Sequence, residues 1–169
     1  AYDGHNHEPD LKKRTELCDV DFAPVLALKE SLLSAGLMVP ELIAGGTPTF
    51  PIHARYSDRT CSPGTTTLWD FGYMDGLSDM DFEYAAVLFS RVISRPGSQR
   101  VCFDLGHKAV SADKPEPRVR MFGLESAQSV VHSEEHLMMQ CDHADDLKVG
   151  DGCYGVPVHI CPTVALHDH

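Results

Sequence analysis

A histidine and a cysteine two residues apart near the end of the chain form the clearest candidate metal site in the sequence. His159 and Cys161 follow an apolar run, and residues 153–160 together predict a strand. In a strand, residues i and i+2 point to the same face, so an imidazole and a thiol would lie side by side. This donor pair suits Zn²⁺ and leaves positions open for water or substrate, although a catalytic zinc normally takes three protein ligands. The alternative is that both side chains only pack or face solvent.

Two glycine-containing turns could bind an anion. The first includes Gly46 and Thr47, directly after the apolar run 41–44, and the second includes Gly64 and Thr65. Glycine lets backbone N–H groups converge on one point, and threonine adds a hydroxyl. If both turns follow successive strands of an eight-stranded α/β barrel, they occupy its common phosphate site. The alternative is that both are ordinary tight turns.

The elements that would position these residues change in type along the chain. Residues 8–36 predict a long helix that starts near Pro9, ends at Gly36, and is kinked or divided by Pro24. A helix between short apolar strands is the unit of a parallel α/β sheet or barrel. Beyond about residue 65, turn formers separate runs typical of an antiparallel sandwich or barrel. These predicted strands are 65–69, 85–94, 100–105, 118–122, 135–140 and 153–160.

Composition restricts the classes of partner. The chain has 14 Lys and Arg against 25 Asp and Glu, a formal net charge of -11, which argues against nucleic acid or an anionic membrane as the main partner. No apolar run approaches the roughly 20 residues that span a bilayer. No secretory signal is visible, and the six cysteines form no C-x-x-C pair, so we expect a cytoplasmic protein with reduced thiols. Small-molecule chemistry or protein contacts remain.

Six strings recur in an order that is familiar from one enzyme family. They are residues 1–5, 44–51, 61–65, 104–108, 133–137 and 159–164. Taken together they closely resemble the D-threonine aldolase and D-serine dehydratase family, over nearly the whole chain. The resemblance implies an alanine-racemase-type fold of the α/β plus all-β class. Residues 1–64 would be the C-terminal part of a TIM-type (β/α)8 barrel, and residues 65–169 an antiparallel β-domain with a metal site.

The same resemblance implies two cofactors and a substrate class. Members of the family use pyridoxal phosphate and a divalent metal, zinc or manganese, to break bonds in D-β-hydroxy amino acids. The implied cofactor-binding residues are Tyr2, Gly46, Thr47, Gly64 and Thr65, and the implied metal ligands are His159 and Cys161. The H-x-C spacing is typical of the dehydratase branch, whereas the residues around the first glycine turn are similar to aldolase-like sequences.

The family's imine-forming lysine lies before anything that corresponds to Ala1, so no catalytic residue is expected in this chain. We therefore expect a C-terminal fragment that is inactive alone and belongs to a homodimer when full length. The reaction is either aldol cleavage to glycine and an aldehyde or dehydration of D-serine to pyruvate and ammonia. Two other readings stay open: an amino-acid racemase of the same fold, which needs no metal, and a non-catalytic metal-binding β module.

Overall fold

The chain folds into two units, which a computed structural model describes over residues 1–168. The first unit comprises residues 1–67 and 74–82, and the second comprises residues 68–73 and the chain from Glu83 onward. The helices are α1 (Leu11–Ser34), α2 (Phe50–His53), α3 (Phe71–Gly76) and α4 (Ile160–Val164). The strands are β1 (Ile43–Gly45), β2 (Thr60–Ser62), β3 (Leu88–Gly97), β4 (Arg100–Phe103), β5 (Val119–Met121), β6 (Gln128–His132), β7 (Leu137–Gln140) and β8 (Gly152–Pro157).

The predicted long helix is confirmed as α1. It begins after Asp10, whose side chain accepts a hydrogen bond of 2.9 Å from the backbone N–H of Lys13 and so caps the first turn. It ends before Gly36, which has a φ of +77°. Pro24 lies inside the helix without dividing it, because proline removes one backbone hydrogen bond and leaves those on either side. No helix among residues 1–168 has both the length and the hydropathy needed to span a membrane.

The first unit confirms the predicted strand–helix–strand arrangement. β1 and β2 pair in parallel, with Ile43 opposite Thr60. On the other side of β1, Tyr2 forms a parallel bridge to Gly45. Helix α1 therefore connects two neighbouring parallel segments, as a crossover in an α/β sheet does.

The second unit is a six-stranded antiparallel sheet with the order β5-β8-β3-β4-β7-β6. The long strand β3 joins its two halves: residues 88–91 pair with β8, and residues 92–97 pair with β4 through a register broken by bulges. One face of the sheet covers an apolar core. Its buried members include Val92, Val101, Phe103, Val110, Met121, Leu137, Met139 and Ala144.

Three strand predictions were wrong or incomplete. Residues 65–67 form a 3₁₀ helix in place of a strand. Strand β6 was not predicted, because it is an edge strand whose Val130 and Val131 are both more than two-fifths exposed and break the alternating pattern. The last predicted strand ends at Pro157, and helix α4 begins at Ile160, where the strand was expected to continue.

Candidate functional site

The first predicted turn, directly after β1, has a backbone that only glycine fits. Gly46 has a φ of +122°, in the region that residues with side chains rarely adopt. A Cβ at this position would lie 2.6 Å from Asp3 Oδ1 and 2.8 Å from the backbone nitrogen of Gly4. The turn therefore depends on a close approach of two backbone segments, which glycine alone allows.

The structure brings the two predicted turns together. The backbone N–H of Thr65 donates a hydrogen bond of 3.1 Å to the hydroxyl oxygen of Thr47, and both threonines are buried. Gly64, directly before Thr65, has no atom within 4 Å of the place where a Cβ would stand. Because the Thr47 oxygen accepts this bond, its own O–H group can still donate to another acceptor. Two loops 18 residues apart thus meet, as a shared anion site requires.

Tyr2 lies on the segment beside β1, and its side chain is 77% exposed. Its ring covers Gly4, since a Cβ on Gly4 would lie 2.2 Å from the phenol oxygen. Tyr2 is thus connected to the first turn through its bridge to Gly45.

Next to these turns lies a buried polar network that the sequence reasoning missed. Asp3 accepts a short hydrogen bond from the Thr49 hydroxyl, and its Oδ2 lies 2.7 Å from Nε2 of His53. The Arg59 guanidinium lies 3.3 Å from the other ring nitrogen, Nδ1. Because arginine can only donate, Nδ1 of His53 accepts, and Nε2 carries the proton that is donated to Asp3. Burial opposes ionisation of Asp3, but the hydrogen bonds from His53 and Thr49 outweigh it and lower the pKa of this carboxyl.

Cys18 completes the network. Asp3, Cys18 and His53 all carry atoms that could bind a metal, but their spacing is that of a hydrogen-bonded network. They are the one group of three potential ligands in close proximity within residues 1–168. The Cys18 sulfur lies 3.5 Å from both Asp3 Oδ2 and His53 Nε2. Two ligands of a tetrahedral zinc lie about 3.3 Å apart when each bond is about 2.0 Å, so the 2.7 Å between Asp3 and His53 is a hydrogen bond. Burial and the Asp3 carboxylate raise the pKa of the Cys18 thiol to about 12, so it stays protonated.

The network therefore holds the turn at Gly46 in position. Asp3 is joined to the turn by its backbone N–H, which donates to Gly45 at 3.2 Å, and by its contact with Gly46. No local spacing could have revealed this arrangement, since His53 lies 50 residues and Cys18 15 residues from Asp3.

The predicted metal pair stands at the end of β8, in a different backbone conformation from the one expected. His159 is extended, with φ -141° and ψ 100°, and it directly precedes α4, whose second residue is Cys161. The expectation that both side chains project from one face of a strand is wrong. The buried carboxylate of Asp70 accepts from the backbone N–H of Ile160 at 3.0 Å and so fixes the start of α4. Pro162 fits because the first helical turn needs no backbone donor there.

The imidazole of His159 is held by a carboxylate. Its Nδ1 lies 2.6 Å from Oδ2 of Asp113, and the Ser111 hydroxyl donates to the same carboxylate at 2.6 Å. Burial opposes ionisation of Asp113, but the hydrogen bonds from Ser111 and His159 outweigh it and lower the pKa of Asp113. Within residues 1–168 the ring nitrogen Nε2 has no protein partner and is open to a ligand.

His159 and Cys161 have the right chemistry for a divalent metal. The His159 side chain is 29% exposed and Cys161 is exposed, so an ion could reach both from solvent. A nitrogen and a sulfur donor suit zinc. In the described part of the chain neither residue belongs to a group of three close potential ligands.

Two of the recurring sequence segments, residues 104–108 and 133–137, contact each other. In the run 104–108, the backbone N–H of His107 donates to Ser133 at 2.8 Å, and that of Lys108 donates to Glu134 at 3.1 Å. A Cβ on Gly106 would lie 2.0 Å from the carbonyl oxygen of Glu134. The two segments thus pack backbone to backbone, and a side chain at position 106 would not fit.

Comparisons with known proteins relate the chain to one group of enzymes. A family model described as a putative serine dehydratase domain matches residues 85–169. The chain is 25% identical over 175 residues to a D-threonine aldolase from Arthrobacter sp. and 27% identical over 178 residues to a 3-hydroxy-D-aspartate aldolase from Paracoccus denitrificans. Each alignment covers 99% of this chain and 45% of the relative, so the chain spans about half the length of these relatives.

Solved structures confirm the predicted fold class. The crystal structure of D-threonine aldolase from Filomicrobium marinum matches 99% of this chain and 46% of its own, with a TM-score of 0.87 and 23% identity. Two mutants of D-threo-3-hydroxyaspartate dehydratase match 98% of this chain and 48% and 50% of their own, at 20% identity and TM-scores of 0.80 and 0.77. One has a histidine replaced by alanine. The other has the cysteine two residues later replaced by alanine and is described as the metal-free form.

Proposed function

The chain belongs to the putative serine dehydratase domain family, and on that premise we propose that it is the C-terminal part of a lyase that uses pyridoxal phosphate and a divalent metal to act on D-β-hydroxy amino acids. The observation that carries the proposal is His159, whose Nδ1 is held by Asp113 while its Nε2 is open, two residues before Cys161 in the chain. A racemase of the same fold needs no metal and gives no reason for this arrangement. We propose the division into residues 1–64 and 65–169 as the barrel end and the β-domain of that enzyme.

The cofactor phosphate would be held by the two joined turns. Gly46 and Gly64 would supply backbone N–H groups, and Thr47 and Thr65 join the two turns through a hydrogen bond of 3.1 Å. Tyr2 stands on the neighbouring segment, and the Asp3 network keeps the Gly46 turn in place. When bound, pyridoxal phosphate supplies an electron sink for charge that develops at the substrate α-carbon.

The metal, Zn²⁺ or Mn²⁺, would be held by His159 and Cys161. It would act as a Lewis acid towards the substrate β-hydroxyl. The dehydratase mutants support this assignment, since the spacing of their substituted histidine and cysteine is that of His159 and Cys161, and the cysteine mutant is metal-free.

The reaction we favour is aldol cleavage, because both curated relatives are named aldolases. D-Threonine would give glycine and acetaldehyde. Dehydration is the second candidate, favoured by the His-x-Cys spacing that the dehydratase mutants share. D-Serine would then give pyruvate and ammonia.

The whole protein is needed to test this proposal. We place the cofactor-binding lysine N-terminal to the chain, expect the chain alone to be inactive, and expect the complete enzyme to be a cytoplasmic homodimer. The protein that contains this chain should be supplied with pyridoxal phosphate and zinc and given D-threonine and D-serine separately. Glycine from D-threonine supports the aldolase, and pyruvate from D-serine with no glycine from D-threonine assigns the dehydratase. Conversion to the L-enantiomers alone, or no turnover, contradicts the lyase.

A further inference from the structure

The carboxylate beside His159 has a specific role. We propose that Asp113 is a positioning residue: it fixes the ring orientation and tautomer of His159, so that Nε2 is presented to the metal. This inference rests on the proposed role of His159 as a metal ligand.

The hydrogen bond between the two side chains decides which nitrogen is available. Nδ1 of His159 and Oδ2 of Asp113 are 2.6 Å apart, a short contact typical of a charge-assisted hydrogen bond. The carboxylate can only accept, so in the neutral ring Nδ1 carries the proton and Nε2 keeps its lone pair. Metal-binding histidines commonly donate their second N–H to a carboxylate, which also raises the basicity of the ligand nitrogen.

A closed ring of hydrogen bonds fixes the positions of Asp113 and His159 relative to each other. The Thr163 hydroxyl donates to the backbone oxygen of His159 at 2.7 Å and accepts from the backbone N–H of Ser111 at 3.2 Å. Ser111 in turn donates through its own hydroxyl to Asp113. Thr163 is buried, whereas the Asp113 and His159 side chains are 40% and 29% exposed. A buried hydroxyl therefore locks the backbone of both loops, and the carboxylate and imidazole meet at the surface above it.

The chain contains a matched pair without these supports. His143 and Asp146 also join a ring nitrogen to a carboxylate, but at 3.4 Å and with side chains 69% and 82% exposed. The Asp146→Ala variant therefore removes an equivalent charge from an equivalent partner in a place where no ligand is proposed.

The test measures zinc affinity by chelator competition in the protein that contains this chain. Asp113→Ala should weaken zinc binding about 10- to 100-fold, with Asp146→Ala unchanged. Asp113→Asn should recover part of the loss, because its carbonyl oxygen can still accept from Nδ1. Unchanged affinity in Asp113→Ala, while His159→Ala loses zinc, overturns the positioning role alone. Equal losses in the Ala and Asn variants also contradict it, since they indicate direct ligation. Full zinc affinity in His159→Ala contradicts the proposed metal site and this inference with it.

A second measurement reads the tautomer without metal. Nitrogen-15 NMR of histidine in the metal-free protein should show His159 protonated at Nδ1, and this preference should disappear in Asp113→Ala while the fold, followed by circular dichroism, persists. A proton on Nε2 in the unsubstituted protein, or the same tautomer in Asp113→Ala, contradicts the proposal.

Discussion

The two units contain similar sets of histidine, cysteine and aspartate and use them in opposite ways. In the first unit, Asp3, Cys18 and His53 are buried, and their side-chain polar atoms bind one another, Thr49 and Arg59. In the second unit, His159 binds Asp113 through one ring nitrogen and leaves the other open, and Cys161, two residues later in the chain, is exposed.

The difference shows that residue type alone does not identify a metal site. A buried set whose donors and acceptors are already paired stabilises the fold and has no vacant position for an ion. A partly exposed histidine with one ring nitrogen held by a carboxylate and the other open can accept an ion.

The largest expected difference is in stability. Asp3→Ala removes the acceptor of His53 and Thr49 in a buried site and should lower the free energy of unfolding by about 3 to 5 kcal/mol. Asp113→Ala removes a carboxylate whose side chain is 40% exposed and should cost about 1 kcal/mol or less. Urea unfolding of both variants measures the two values. Equal losses of unfolding free energy would mean that the two networks contribute equally to the stability of the fold, which contradicts the contrast.

The turn at Gly46, which we propose binds the cofactor phosphate, should be sensitive to a single methyl group. Gly46→Ala places a Cβ 2.6 Å from Asp3 Oδ1 at a φ of +122°, which should destabilise the protein by about 1 to 3 kcal/mol and weaken pyridoxal phosphate binding. Gly97→Ala is the control, because no atom lies within 4 Å of its Cβ position. The visible absorbance of the bound cofactor and thermal unfolding report the two effects. Normal cofactor binding by Gly46→Ala would mean that this turn does not bind the cofactor phosphate.

A further effect should appear only at high pH. The pKa of Cys18 is about 12 in the folded protein against 9.0 ordinarily, so the unfolded chain loses this proton first. The stabilisation is complete below pH 9.0 and is lost as pH rises towards 12, with a slope of up to about 1.4 kcal/mol per pH unit. In urea unfolding measured at increasing pH, the free energy of unfolding of Cys18→Ala should fall less steeply with pH than that of the unsubstituted protein. Cys161→Ala serves as the exposed control, and identical slopes for Cys18→Ala and the unsubstituted protein would contradict a buried, protonated thiol.

Sequence patterns predicted what depends on neighbouring residues. The apolar spacing of α1, the strand before Gly46 and most strands of the second unit follow from local periodicity, and the two glycine turns were identified from residue type. The end of β8 was misjudged because the cap that starts α4 comes from Asp70, 90 residues earlier in the chain.

Hydrogen-bond partners that lie far apart in the chain could not be predicted either, because local sequence patterns do not report on distant residues. Asp113 lies 46 residues before His159, and His53 lies 50 residues after Asp3. Nothing in the residues around either member indicates its partner, since only the fold brings them within hydrogen-bonding distance. The candidate ligands could therefore be predicted, while the groups that hold them could not.

The most direct test compares bound zinc in three forms of the protein that contains this chain. After dialysis against zinc and removal of the free ion, metal analysis should find zinc in the unsubstituted protein and in Cys18→Ala, and little in His159→Ala. Zinc retained in His159→Ala and lost in Cys18→Ala would contradict this assignment, because it would place the metal at the buried Asp3 network and not at His159 and Cys161.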